Sequence, residues 1–182
     1  HSHGQGHETT FAQVVSDKLG IPYDDIDIVH GDTGRMDFGL GTYGSRSIAV
    51  GGSALIMAAD KIIEKGKYLA AYLLETSVAD IRFDDGEFTV AGTDRSIDVM
   101  ALAAKARDTT NLPAGMAPGL DERAQSEITD PTLPNGCHIC EVEVDPDTGR
   151  AEIVKYVAVN DVGTVLNQLT FRGQILGGIG QG

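Results

Sequence analysis

The chain has 182 residues with 27 acidic against 14 basic side chains, a formal charge of −13. Such a surface repels phosphate backbones at long range, which argues against a nucleic-acid role. A hydrophobic fraction of 41% and a mean hydropathy of −0.09 fit a globular chain with one sizeable core or two small lobes, and no apolar run reaches the about 18 residues of a membrane span.

The pattern along the chain starts with a helix over 8–19, where Phe11, Val14, Val15 and Leu19 share one stripe, Gly20 stops it and Pro22 opens a turn. Asp27–His30 reads as a short strand. Residues 31–47 form a glycine-rich loop, longer than most connections and so a candidate for function. From Ser47 to about Glu75 the spacing is helical, through Val50, Leu55, Ile62, Ile63, Leu69 and Leu73. Gly51-Gly52 weaken it at its start while permitting close packing, and Gly66 is read as a bend.

Strands over 79–84 and 87–92 flank Asp85-Gly86, a strong hairpin signal. Asp98 caps an alanine-rich helix to about Arg107. Residues 108–134, with Pro113, Pro118, Pro131 and Pro134, read as an ordered meander or a linker. Strands over 136–145 and 150–161 surround the turn Pro146–Gly149, and Ile175 opens a last helix. The expected class is α+β: a mixed sheet and hairpins with one long helix. The expected divisions are a lobe over 1–107, the meander over 108–134, and a hairpin plus helix over 135–182.

Three stretches combine glycine with strong donors: Gly4-Gln5-Gly6, Gly44-Ser45-Arg46-Ser47, and Gly173-Gln174 running on to Gln181. Glycine lets a backbone approach a ligand and adopt positive φ, while Gln, Ser and Arg donate to phosphate, carbonyl or oxo groups. The first stretch precedes a helix, whose amino end suits an anion; the alternative is an ordinary glycine turn. The second opens the longest helix, with Ser45, Arg46 and Ser47 as donors; the alternative is a capped helix with Arg46 paired to a carboxylate.

Cys137-His138-Ile139-Cys140 has CxxC spacing, but it lies in an alternating strand. Residues three apart then face opposite ways and cannot share a metal. Two cysteines are too few for a disulfide framework, so a reduced, cytoplasmic setting is expected. His1, His3 and His7 read as frayed terminal histidines rather than as a metal site. There is no nucleophile elbow, P-loop or HExxH.

Taken together, HGQGHETTFAQVVSDKLGIP (3–22), HGDT (30–33), GLGTYGSRSIAVGG (39–52), PNGCHICEVEVDPDTG (134–149), NDVGTVLN (160–167) and GQILGGIGQG (173–182) resemble the molybdenum-binding large subunit of the xanthine dehydrogenase, aldehyde oxidase and carbon monoxide dehydrogenase family. The likeness covers essentially the whole chain and lies nearest the carbon monoxide dehydrogenase large-chain branch. It implies part of a molybdopterin-binding domain of a molybdenum hydroxylase. The cofactor it implies is a molybdenum-pterin dinucleotide, with the cytosine form expected, whose own sulfurs and oxo groups hold the metal.

By that resemblance Gly4, Gln5 and Gly6 bind the pterin or an oxo ligand. Gly44, Ser45, Arg46 and Ser47 lie along the cofactor, with Gly44 nearest the metal. Gln174 and Gln181 face the pterin and its phosphates. The family's general-base Glu is expected beyond residue 182, so no catalytic residue and no metal ligand is assigned here. The last block departs from the family pattern at Gln168, Arg172 and Leu176.

The implied enzyme hydroxylates aldehydes or N-heterocycles, or oxidises carbon monoxide, using water. An iron–sulfur subunit, an FAD subunit and a small-molecule substrate are its expected partners, in a homodimer of the complex. The fragment alone is expected to be inactive and without cofactor. The rival readings are a non-catalytic nucleotide- or protein-binding module, and an acidic interaction domain.

Overall fold

The computed structural model describes residues 1–36, 39, 41–127 and 132–182. Parts of the expected 31–47 loop and 108–134 meander, Pro131 among them, lie outside the described residues. The chain divides into two compact units, His1–Thr129 and Asp130–Gly182.

In the first unit, helix α1 (His7–Leu19) runs between two left-handed glycines, Gly6 at φ 74° and Gly20 at φ 64°. Gly20 also meets the tip of the later hairpin, where an added Cβ would lie 2.1 Å from the Gly86 amide nitrogen. Backbone-to-backbone contact, as well as helix termination, therefore requires glycine there. Residues 27–30 form no strand. No described strand hydrogen-bonds with them, and His30 instead spends its ring on Glu8 of α1 and on the amide of Ser2.

A π-helical turn (Ile48–Gly52) leads into α2 (Ser53–Leu73). Helix α2 turns Ala59, Ile63, Gly66 and Ala70 inward at helical spacing. Helix α2 runs unbroken through Gly66. The glycine is there for space: a Cβ would sit 2.4 Å from Cζ of Phe88.

Phe88 belongs to an antiparallel sheet of β1 (Ile81–Asp84), β2 (Glu87–Val90) and β3 (Ser96–Asp98), ordered β1-β2-β3. Residues 79–80, expected at the start of the first strand, fall in a short 3-10 turn (Val78–Asp80) instead. Asp85 (φ 42°) and Gly86 (φ 79°) both take the left-handed region, as the tight turns that match strand twist require. Alternation along the strands buries Ile81, Phe88 and Val90.

Asp98 starts α3 (Val99–Ala106), accepting from the amides of Met100 and Ala101 at 3.0 and 2.9 Å. Phe88, Leu69 and Leu102 are completely buried at the centre of the core, and Leu112, Met116 and Leu120 from the following segment pack against it.

The second unit is a hairpin of β4 (Asn135–Val144) and β5 (Ala151–Asp161) followed by α4 (Gln168–Gln181). Both sheets are thus antiparallel throughout. Asp145 shapes the hairpin turn by accepting from the amides of Asp147 and Thr148, and Gly149 closes it at φ 70°. A bulge interrupts the ladder beside Glu141 and Val142. Helix α4 begins at Gln168 rather than Ile175, because Asn167 accepts from the amide of Thr170 and supplies a cap.

Candidate cofactor site

In the first turn, Gly4 (φ 102°) and Gly6 (φ 74°) bracket Gln5. Gly6 is the N-cap of α1 and, having no side chain, leaves the first-turn amides without a side-chain acceptor. Oε1 of Gln5 accepts from the amide of His3 and, at 3.5 Å, from the hydroxyl of Ser2. That pins the carboxamide by its oxygen, while Nε2, the donor side, lies 3.5 Å from Nδ1 of His3. His7 is the first residue of α1 and stacks on Phe11, so it is not frayed. Burial holds its imidazole below the ordinary pKa.

His30 braces this turn. Its Nε2 lies 2.7 Å from a carboxylate oxygen of Glu8, and its Nδ1 accepts from the amide of Ser2 at 3.4 Å. The Glu8 carboxyl is held below its ordinary pKa first by its own backbone amide and then by His30.

In the second turn, Gly44 (φ 63°) and Ser45 (φ 51°) are consecutive left-handed residues. For serine this is an uncommon backbone. The Arg46 guanidinium lies 4.1 Å from the centre of the Tyr43 ring, a cation–π contact that orients its fork. Ser47 is the N-cap of the π turn and makes no side-chain cap bond. An added Cβ on Gly4 or Gly44 would meet nothing within 4 Å, so both glycines border open space.

The first unit ties these two turns together. The hydroxyl of Thr42 donates to the carbonyl of His1 at 2.5 Å, and Phe11 of α1 reaches Gly51 of the π turn. Gln174 and Gln181 lie in the second unit, exposed on α4. They are seven residues apart, two helical turns, so they share a face with Gly177 and Gly178 between them. A Cβ on either of these glycines would meet nothing within 4 Å. Glycine costs helix stability, and no packing within the described residues accounts for it there.

Two other features lie apart from these turns. A shallow cleft beside α1 is lined by Glu8, Asp24 and Asp27, carboxylates that disfavour an anion. In the hairpin, Cys137 pairs with Val159 and Cys140 with Tyr156, which sets the thiols on opposite faces. Among the described residues no group of three His, Cys, Asp or Glu side chains is placed to hold a metal ion.

The whole chain, residues 1–182, matches the family model described as the molybdopterin cofactor-binding domain. The chain belongs to that family. It is 39% identical over 180 residues to the carbon monoxide dehydrogenase large chain of Hydrogenophaga pseudoflava, with 98% of this chain and 22% of that protein covered. It is also 39% identical over 183 residues to the nicotine 6-hydroxylase large subunit of Paenarthrobacter nicotinovorans, covering 100% of this chain and 22% of the relative. A solved structure of a Cu,Mo-CO dehydrogenase in its carbon monoxide reduced state superposes with a TM-score of 0.89 at 38% identity, over 98% of this chain and 22% of that one. This molybdopterin cofactor-binding domain therefore spans about a fifth of the length of these relatives.

The residues present fit such a group. Open space beside Gly4 and Gly44, uncapped amides at α1, and donors on Gln5, Ser45, Arg46 and Ser47 suit phosphate and oxo groups. Sequence reasoning missed Thr42, Tyr43, Phe11 and His30 as supports of the two turns. Thr42 and Tyr43 stood beside the marked Gly44-Ser45-Arg46, but the reach of Thr42 to His1, of Phe11 to Gly51 and of His30 to Ser2 and Glu8 depends on contacts between distant segments.

Proposed function

We propose that this chain is the cofactor-cradling part of the large subunit of a molybdenum hydroxylase, an oxidoreductase that hydroxylates aldehydes or N-heterocycles, or oxidises carbon monoxide, with water. The observation that carries the reading is the joining of the Gly4–Gly6 and Gly44–Ser47 turns, both open and donor-rich, in a chain of this family. When bound, the pterin group supplies a redox-active metal centre for oxidising carbon.

The chain's own residues hold and orient that group. The α1 amides, Gln5 Nε2, Ser45, Ser47 and the Arg46 fork would supply its hydrogen-bond donors. Gly44 lets the cofactor lie against backbone. In the second unit, taken by itself, Gln174 and Gln181 carry donors at either end of a glycine strip, a chemistry suited to pterin and phosphate edges.

The cytosine dinucleotide form, iron–sulfur and FAD subunits as electron acceptors, a homodimeric complex and a cytoplasmic location belong to the same reading. The part of it that expects further subunits is supported by relatives that are themselves named as a large chain and a large subunit. The fragment by itself is inactive on this account. Gln5→Ala and Arg46→Ala, each in the full-length subunit, lower molybdenum content per subunit while the melting temperature holds. Unchanged molybdenum in both removes the assignment of these two turns.

A further inference from the structure

We propose that Phe11 is a spacer whose ring sets the separation between the Gly4–Gly6 and Gly44–Ser47 turns, and so the width of the slot that grips the cofactor. The proposal rests on the cofactor reading given above.

Phe11 is a large aromatic residue that lies outside the cluster forming the hydrophobic core. Its ring stacks on His7, with centroids 5.4 Å apart and planes 20° from parallel. The same ring presses on Gly51, where an added Cβ would lie 2.9 Å from Cζ and 3.5 Å from Cε2. Gly51 is not among the positive-φ residues, so space rather than backbone freedom demands glycine there.

Each end of this stack stands next to a donor turn. His7 follows Gly6 directly, and Gly51 lies in the π turn that opens one residue after Ser47. π turns are rare and occur frequently at functional sites, and the Phe11 ring packs on this one at Gly51. Thr42 ties the same two segments from the loop side by its bond to His1. Packed contacts of this kind respond to the gain or loss of one methyl group, so ring size translates into slot width.

The test uses the full-length subunit, purified with whatever subunits accompany it. Molybdenum per subunit after dialysis and the melting temperature are measured for Phe11→Tyr, Phe11→Leu, Gly51→Ala and the double variant Phe11→Leu/Gly51→Ala. Phe11→Leu narrows the spacer and Gly51→Ala thickens its wall, so each lowers retention about tenfold, as the loss of an orienting partner typically does. Phe11→Tyr keeps the ring and retains the metal. The double variant, which nearly conserves volume, returns retention toward the parent value.

Additive loss in the double variant overturns the proposal, because a ring and a wall that together set one width must compensate for each other. Parent-like retention in both single variants while Gln5→Ala loses metal also overturns it, and leaves the cofactor reading standing. Should Gly51→Ala fail to fold, Phe11→Leu against Phe11→Tyr decides: equal retention in the two overturns the spacer, and retention only in Phe11→Tyr supports it.

Discussion

The two units use the same apolar residue types to opposite ends. In the first, Phe88, Leu69 and Leu102 have no exposed surface and α2 sacrifices a side chain at Gly66 to seat a ring. In the second, all ten residues of β4 are exposed, and Ile153 and Val159 are each 68% exposed. By register one face of the hairpin carries Val142, Val144 and Ile153, and the other carries Ile139, Val157 and Val159. A two-stranded hairpin draws little stability from its own pairing. The comparison teaches that alternation identifies a strand without saying that anything covers it, whereas a glycine fitted to a ring marks a true interior.

The largest effect that could break this contrast is Phe88→Ala. A fully buried ring packed on Gly66 and Phe83 leaves a cavity costing about 3–5 kcal/mol, read by urea unfolding of the chain. A cost near that of a surface substitution would mean that the first unit has no tight core. Asp98→Ala comes next, removing a cap that accepts two amides. The expected loss is about 1 kcal/mol, and Asp98→Asn should recover most of it.

Ile153→Ser on the hairpin should change the same unfolding free energy by no more than about 0.5 kcal/mol. A loss approaching that of Phe88→Ala would erase the distinction between the units. The smallest effect is a shared one, since each unit has a carboxyl held below its ordinary value. Glu8 is lowered from 4.5 by its own amide and by His30. Asp145 is lowered from 3.8 by the amides of Thr148 and Asp147. A depressed carboxyl pKa stabilises the fold above the unfolded value, and that contribution is lost as pH falls through the folded value. Carboxyl titration by NMR should give midpoints below 4.5 for Glu8 and 3.8 for Asp145. Midpoints at those values would mean that the turn and helix-end bonds are not formed.

What the sequence made legible was local chemistry. Gly20 ends α1, Asp85-Gly86 turns a hairpin and Asp98 caps α3, each through atoms within a few residues. What it hid depends on partners from elsewhere in the chain. Asp27–His30 has strand composition but no described strand beside it, and β3 (Ser96–Asp98) is three residues made a strand by Phe88 and its neighbours in β2. The seat that Gly66 makes for a ring was hidden because Phe88 is distant in sequence. Glycines and donors marked both turns of the candidate site, but their joining through Thr42 and Phe11 could not be read from spacing.

The most direct test of the central claim, that these two turns form one cofactor cradle, is molybdenum content per subunit in the full-length Gln5→Ala/Arg46→Ala variant, with Ile153→Ser as control. The account predicts a fall of at least about tenfold in the turn variant at an unchanged melting temperature, and parent-like content in the control. Parent-like molybdenum in the turn variant would contradict it.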